Sequence, residues 1–410
     1  MLNSTIQLYK KSFSGLSPEV WSLSGVMLIN RAGAMVLPFL SVYLTQQLGF
    51  TLAQTGWIMS CFGAGSVLGS YAGGKLTDRI GFYDTQFWSL LLSGFAFIAI
   101  QWVETFYAVA ILVFVASAIA DTFRPAGFAA IAAYSKEGNR TRAIALLRMA
   151  INLGWAVGPA AGGLLAANLG YHWLFWVDGL TCIAAALFFR RVLPRRRRPV
   201  EDTAVAAAGA EAAAYRNRAY LLFLLFAGLN AIAFMQLFST LPVFFKEEVS
   251  LHEGQIGQLM AMNGLIIALL EMPLIYLLER RFRILRLISA GTLLMGAGYL
   301  AFLLIGPQLG AALLCMLLLT FGEIFSMPFI STMALQFTND RNRGQYMALF
   351  TVMYSVSHIV APNLGMQLAG RGGFPLLWVV LIGLTVAAAA GFILIGEKQQ
   401  RAEHQPAPSR

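Results

Sequence analysis

Uninterrupted apolar runs of about 20 residues or more recur along the whole chain, and a soluble fold of this size would break such runs with polar faces. Only helices and closed barrels satisfy their own backbone inside a bilayer, and barrel strands are about ten residues long and alternating. These runs are neither short nor alternating, so they are predicted to be membrane-spanning helices. The chain has 410 residues, 58% hydrophobic and 12% charged, with a mean hydropathy of +0.68. Soluble domains carry about 25% charge, which places this chain in the membrane class.

Twelve helices are predicted, near residues 19–47, 52–73, 85–103, 106–134, 142–168, 171–191, 217–245, 254–278, 284–306, 309–335, 344–369 and 374–395. Lys10 and Lys11 precede the first run as they would in a secretory signal, but the run is too long and lacks a small-residue cleavage site, so it reads as a retained helix. With both termini on one side, 24 of the 29 Lys and Arg residues fall at the termini or after even-numbered helices. Lys246 and Arg371 fall on the other side, and Arg31, Arg124 and Arg148 within spans. The positive-inside rule then sets both termini in the cytoplasm, the inner membrane in a bacterial cell. That asymmetry accounts for most of the +10 net charge, so no nucleic-acid partner is called for.

The run "RRVLPRRRRPV" opens a cytoplasmic linker at 192–216 between an N-terminal bundle, 1–191, and a C-terminal bundle, 217–396, with a tail at 397–410. Placing Gly56 on Gly257, a shift of 201, carries Leu76, Asp78 and Arg79 onto Leu277, Glu279 and Arg280, and Arg140 and Arg142 onto Arg341 and Arg343. Two six-helix halves related by a parallel repeat explain both matches.

Ionised groups at the bilayer centre cost about 2.5–3.5 kcal/mol on insertion scales, so they normally face a cavity and pair. Arg31, Asp121 and Glu323 lie deep in the first, fourth and tenth spans; Arg124 follows Asp121 by three residues, on the same helix face. A carboxylate whose proton affinity is raised by desolvation and lowered by an approaching arginine can load and release a proton. Asp121 with Arg31 or Arg124 has that chemistry, with Glu323, Glu271 and His358 as alternatives. Asn30, Asn152, Asn263, Trp155 and Tyr354 are candidates for substrate contact, set against plain interhelical packing.

Three isolated cysteines and four histidines without ligand spacing point to no disulfide, metal, cofactor or embedded enzyme. Gly69, Gly74 and Lys75 imitate a phosphate loop, but Leu76 stands where Ser or Thr is required. No segment outside the membrane is long enough for a nucleotide-binding domain.

The segment "GKLTDRIG", with Gly74, Leu76, Asp78, Arg79 and Gly81, resembles the signature that follows the second helix in the major facilitator superfamily, and the resemblance covers essentially the whole chain. Phe82, Tyr83 and Asp84 stand where the family pattern continues with basic residues. The resemblance implies twelve helices in two pseudo-symmetric bundles, alternating access, and a conformational latch at Gly74, Asp78, Arg79 and Gly81. In the fifth helix, "GWAVGPAAGG", with Gly154, Gly158, Pro159, Gly162 and Gly163, resembles the antiporter motif of the drug:proton branch, and "RPAG" at Arg124 partly matches that branch's proton-transfer signature. The implied function is a monomeric, proton-coupled exporter of drugs, small peptides or amino-acid-like compounds. An uptake symporter and a non-transporting membrane receptor stay open at this point.

Overall fold

The computed structural model describes residues 15–135, 139–196, 214–279, 281–338 and 342–404. Most of the 192–216 linker (197–213), the end of the tail (405–410), Lys10, Lys11, Arg280 and Arg341 lie outside the described residues. Those described form twelve helices and no strand. In chain order they are α1 (Pro18–Gln47), α2 (Leu52–Ile80), α3 (Phe82–Ile100), α4 (Phe106–Tyr134), α5 (Arg140–Leu169) and α6 (His172–Val192). The second six are α7 (Arg218–Phe238, continued by Thr240–Glu247), α8 (Glu253–Glu279), α9 (Ile284–Ile305), α10 (Leu309–Gln336), α11 (343–372) and α12 (374–404). Among the described residues, nine stretches are long and apolar enough to cross a membrane; one of them, Gln345–Glu397, holds α11 and most of α12, parted at Gly373 (φ 73°). The other two helices, α2 and α3, are more polar: α2 is rich in glycine and serine and carries Lys75, Asp78 and Arg79, and α3 opens on Tyr83, Asp84 and Gln86.

The predicted spans agree with the helices except at the ends of α2 and α12, the latter running past the predicted 395 to His404. Helix α2 runs through the charged "KLTDRI" segment to Ile80, and the turn is Gly81 alone, at φ 89°. Composition suggested a loop there, but Lys, Leu and Arg are good helix formers, and one residue in a left-handed conformation reverses the chain. Gly170 and Gly373, which differ by 203 positions, make the corresponding turns before α6 and α12, with φ of 90° and 73°.

Among the described residues, one compact unit gathers α1, α2 from residue 61, α3 to α6, and residues 253–268 of α8. The other gathers residues 52–60 of α2, α7, the rest of α8, and α9 to α12. Helices surrounded by lipid gain little from hydrophobic burial against each other, so small residues that allow close backbone contact decide the packing. In the first unit Gly65, Gly69 and Gly73 lie at four-residue spacing against α4; a Cβ on any of them would overlap the backbone between Phe114 and Thr122. In the second, Gly56 packs on Pro362, Asn363 and Met366 of α11, and the Ser60 hydroxyl donates to the Ile359 carbonyl at 2.6 Å. Aromatic residues fill the two cores. Phe82, Phe123, Tyr134 and Phe189 belong to the first, and Tyr220, Phe223, Tyr346 and Phe392 to the second.

Candidate functional site

Helix α1 is broken halfway. Its first segment ends at Gly33, Ala34 leaves the helical region (ψ 73°), and the helix restarts at Val36. A restart leaves backbone N–H groups without intrahelical acceptors, which is tolerable inside a membrane only if a side chain takes them. Asp178 of α6 does so: its Oδ2 accepts from the N–H groups of Met35 (3.2 Å) and Val36 (3.1 Å). One turn on, Cys182 Sγ lies 3.8 Å from Asp178 Oδ1 and accepts from Asn30 Nδ2 at 3.5 Å. Asp178 and Cys182 are both buried.

The glycine ridge of α5 supports the break from another side. A Cβ on Gly154 would meet the Cβ of Arg31 at 2.5 Å, one on Gly158 the Arg31 carbonyl at 3.0 Å, and one on Gly162 the Cβ of Met35 at 3.0 Å. Gly163 points to another neighbour, with Gly257 Cα of α8 at 3.0 Å from its would-be Cβ, and the Pro159 carbonyl crowds Gly257 in the same way. The predicted antiporter motif is thus the bed on which the last turn before the α1 break lies, and it is also the face that receives α8.

Arg31 sits in that last turn. Its Nε is buried and makes no hydrogen bond to the described residues. Its charge is within electrostatic reach of Asp121, Asp178 and Arg124. Asp121 lies at a second discontinuity, where α4 divides into Phe106–Asp121 and Phe123–Tyr134. It pairs with Arg124 Nε at 2.9 Å and accepts a hydrogen bond from the Ser66 hydroxyl, which the α2–α4 glycine contact brings into place. Two guanidinium groups and two carboxylates therefore form one formally neutral group, in which Asp121 and Asp178 are buried, Arg31 is half-buried and the Arg124 side chain is exposed. In an apolar region, removing one member of such a group leaves an uncompensated charge.

Glu323 of α10 acts electrostatically on Tyr354 of α11, whose hydroxyl lies 3.2 Å from Met327 Sδ. Glu271 and Asn263 of α8 are buried, and His358, Asn152 and Trp155 are half-buried. In the signature after α2, Asp78 and Arg79 are exposed on the last turn of the helix. The break in α7 is held differently from that in α1: Gln236 donates to the Ala361 carbonyl at 2.9 Å and accepts from Thr240, while Gly365 leaves room for its amide.

The family model of the Major Facilitator Superfamily matches residues 23–362 and 240–409. The chain belongs to the major facilitator superfamily. As a member of this transporter superfamily it has an integral membrane fold of twelve helices in two pseudo-symmetric six-helix bundles. It is 25% identical over 407 residues to a Na(+), Li(+), K(+)/H(+) antiporter of Planococcus maritimus, covering 91% of this chain and 94% of the relative. To the multidrug resistance protein MdtH of Aeromonas hydrophila subsp. hydrophila it is 23% identical, covering 83% and 81%. In three dimensions it is similar to a peptide transporter POT crystallised with sulfate, at a TM-score of 0.80 and 17% identity, covering 95% of this chain and 96% of that one.

Three further residues of this superfamily member escaped the reading of the sequence. Asp178 could have been found by the criterion that singled out Asp121, since it is a lone carboxylate in the apolar run "LFWVDGLTC". Tyr171 and Glu253 could not, because 82 residues separate them; the Tyr171 phenol donates to Glu253 Oε1 at 2.6 Å. Burial first, and the Glu253 carboxylate second, raise the Tyr171 phenol well above its usual proton affinity, so it stays a neutral donor.

Proposed function

We propose that this transporter is a proton-coupled exporter of small organic molecules, drugs, small peptides or amino-acid-like compounds, which works as a monomer by alternating access in a bacterial inner membrane with both termini in the cytoplasm. The observation that carries the reading is the cluster of Arg31, Asp121, Arg124 and Asp178 beside the α1 break, whose two carboxylates are buried. A carboxylate there changes its proton affinity whenever a guanidinium approaches or withdraws, and a shift of the helices does just that. Asp121, with partners on α2 and on its own helix, is the coupling carboxylate; Glu323, Glu271 and His358 are the competing positions. Asn30, Asn152, Asn263, Trp155, Arg124 and Tyr354 supply polar and aromatic contacts to cargo. Gly74, Asp78, Arg79 and Gly81 form the latch, and the working halves are 1–191 and 217–396, joined by 192–216 and followed by the tail at 397–410.

The names of the relatives support this reading and one other. The multidrug relative favours organic cargo, whereas the monovalent cation antiporter favours exchange of an inorganic cation for protons. Everted vesicles holding the overproduced protein separate the two readings. Energised uptake of a fluorescent organic cation that collapses with the proton gradient supports the first, and alkalinisation on adding sodium or potassium supports the second. Accumulation in right-side-out vesicles instead would make the chain an uptake symporter, and binding without any flux a receptor.

A further inference from the structure

Corresponding places in the two halves differ in what fills them. Helix α6 stops at Val192, and the chain turns back across the ends of the preceding helices. The Tyr134 hydroxyl donates to the Pro194 carbonyl at 2.7 Å, Arg195 pairs with Asp84 in the first turn of α3, and Arg196 reaches Glu19 at 2.7 Å and the Ala133 carbonyl at 3.2 Å. The returning segment thus seals the gap between the start of α3 and the ends of α4 and α6.

The second half keeps the register but not the seal. Helices α3 and α9 start at Phe82 and Ile284, a shift of 202, and the same shift carries Asp84 onto Arg286 and Tyr134 onto Gln336. Helix α12 does not turn back where α6 does; it continues to His404. The gap stays open as a groove of about 440 Å³, with Arg283 and Arg286 on one wall, Gln336 on another, and Met333, Phe392 and Ile393 offering apolar surface. Charge is inverted relative to the first half: where Asp84 receives an arginine, two exposed arginines stand, opposed within the groove by Glu397 alone.

We propose that this groove binds an anionic phospholipid. Its phosphate meets Arg283 and Arg286 as Asp84 meets Arg195, and an acyl chain follows the apolar wall. A groove between the ends of membrane-spanning helices lies at the bilayer surface, where basic side chains attract anionic headgroups. The chain's own tail at 397–410 has the wrong sign for the site, since Lys398, Arg401 and Arg410 outnumber Glu397 and Glu403.

The test is native mass spectrometry of the full-length protein with phosphatidylglycerol or phosphatidylcholine. The wild type is expected to retain phosphatidylglycerol selectively. Each arginine near a membrane surface is worth about fivefold, so the double variant Arg283→Gln, Arg286→Gln should lose roughly 25-fold in that retention. Arg286→Lys, which keeps the charge, and Arg195→Gln, at the sealed site, should both retain it. Hydrogen exchange on the unmodified protein gives an independent reading, with protection expected at 283–286 in phosphatidylglycerol nanodiscs relative to phosphatidylcholine. Equal retention by the wild type and the double variant, or no protection at 283–286, overturns the proposal. Displacement of the lipid by inorganic phosphate at comparable strength would make the site one for a free anion and overturn the lipid assignment.

Discussion

Replacing Asp178 with alanine removes the acceptor of the Val36 N–H at the α1 break and one of two acceptors of the Met35 N–H, which keeps the Gly33 carbonyl at 2.7 Å. A buried donor left unsatisfied costs about 1–3 kcal/mol, so the substitution should cost about that much through Val36, before counting the change in the field around Arg31. Asp178→Asn keeps one acceptor oxygen and loses only the charge assistance, roughly half the strength of those bonds, so its cost should be about half that of alanine. Equilibrium unfolding of the two variants and the wild type in one mixed-micelle system measures both differences. The order wild type, asparagine, alanine is the expected result, with alanine also lowering transport because the α1 break positions Arg31. If the alanine variant lies within about 1 kcal/mol of the wild type, Asp178 does not hold the break together and this part of the reasoning is wrong.

Two glycines of the signature after α2 should respond in opposite ways. Gly74 lies inside the helix with open space around its Cβ position, so Gly74→Ala should stabilise by up to about 1 kcal/mol, whereas Gly81→Ala, at φ 89°, should cost about 1–2 kcal/mol. Thermal midpoints of the purified variants check this pair. Gly158→Leu should force α1 away from α5, costing about 1–3 kcal/mol or displacing the break; transport should fall while protein still reaches the membrane, and unchanged transport would count against the ridge. Tyr171→Phe should cost about 1.5–3 kcal/mol, the worth of a hydrogen bond to a charged acceptor. Because the folded phenol is raised above the usual value of about 10, that contribution is fully present below the unfolded value and is lost only as pH rises through the folded one; the penalty should therefore be flat between about pH 7 and 9, and a midpoint difference that shrinks across this range would contradict it.

The span pattern was legible because apolar run length is a local property, and so were Arg31, Asp121, Arg124 and the α5 glycines, each conspicuous in its own helix. The break in α1 was only half legible: Pro38 has no N–H for the Ala34 carbonyl four residues earlier and so signals it, but the discontinuity also depends on a carboxylate contributed by α6, which no local pattern shows. Asp84 looked like a gap in a basic motif, yet its partner Arg195 comes from 111 residues further on. The helical end of α2 was mistaken for a loop because charge at the bilayer edge marks the end of the apolar run, not the end of the helix. What the sequence withheld was tertiary partnership.

Proton coupling through the first-half cluster is tested most directly by Asp121→Asn in proteoliposomes, with gradient-driven transport and substrate counterflow measured on the same preparation and Glu323→Gln alongside. The account predicts that Asp121→Asn loses driven transport and keeps counterflow, while Glu323→Gln retains both. Driven transport that survives Asp121→Asn and fails in Glu323→Gln would move the coupling site to the second half and contradict the account.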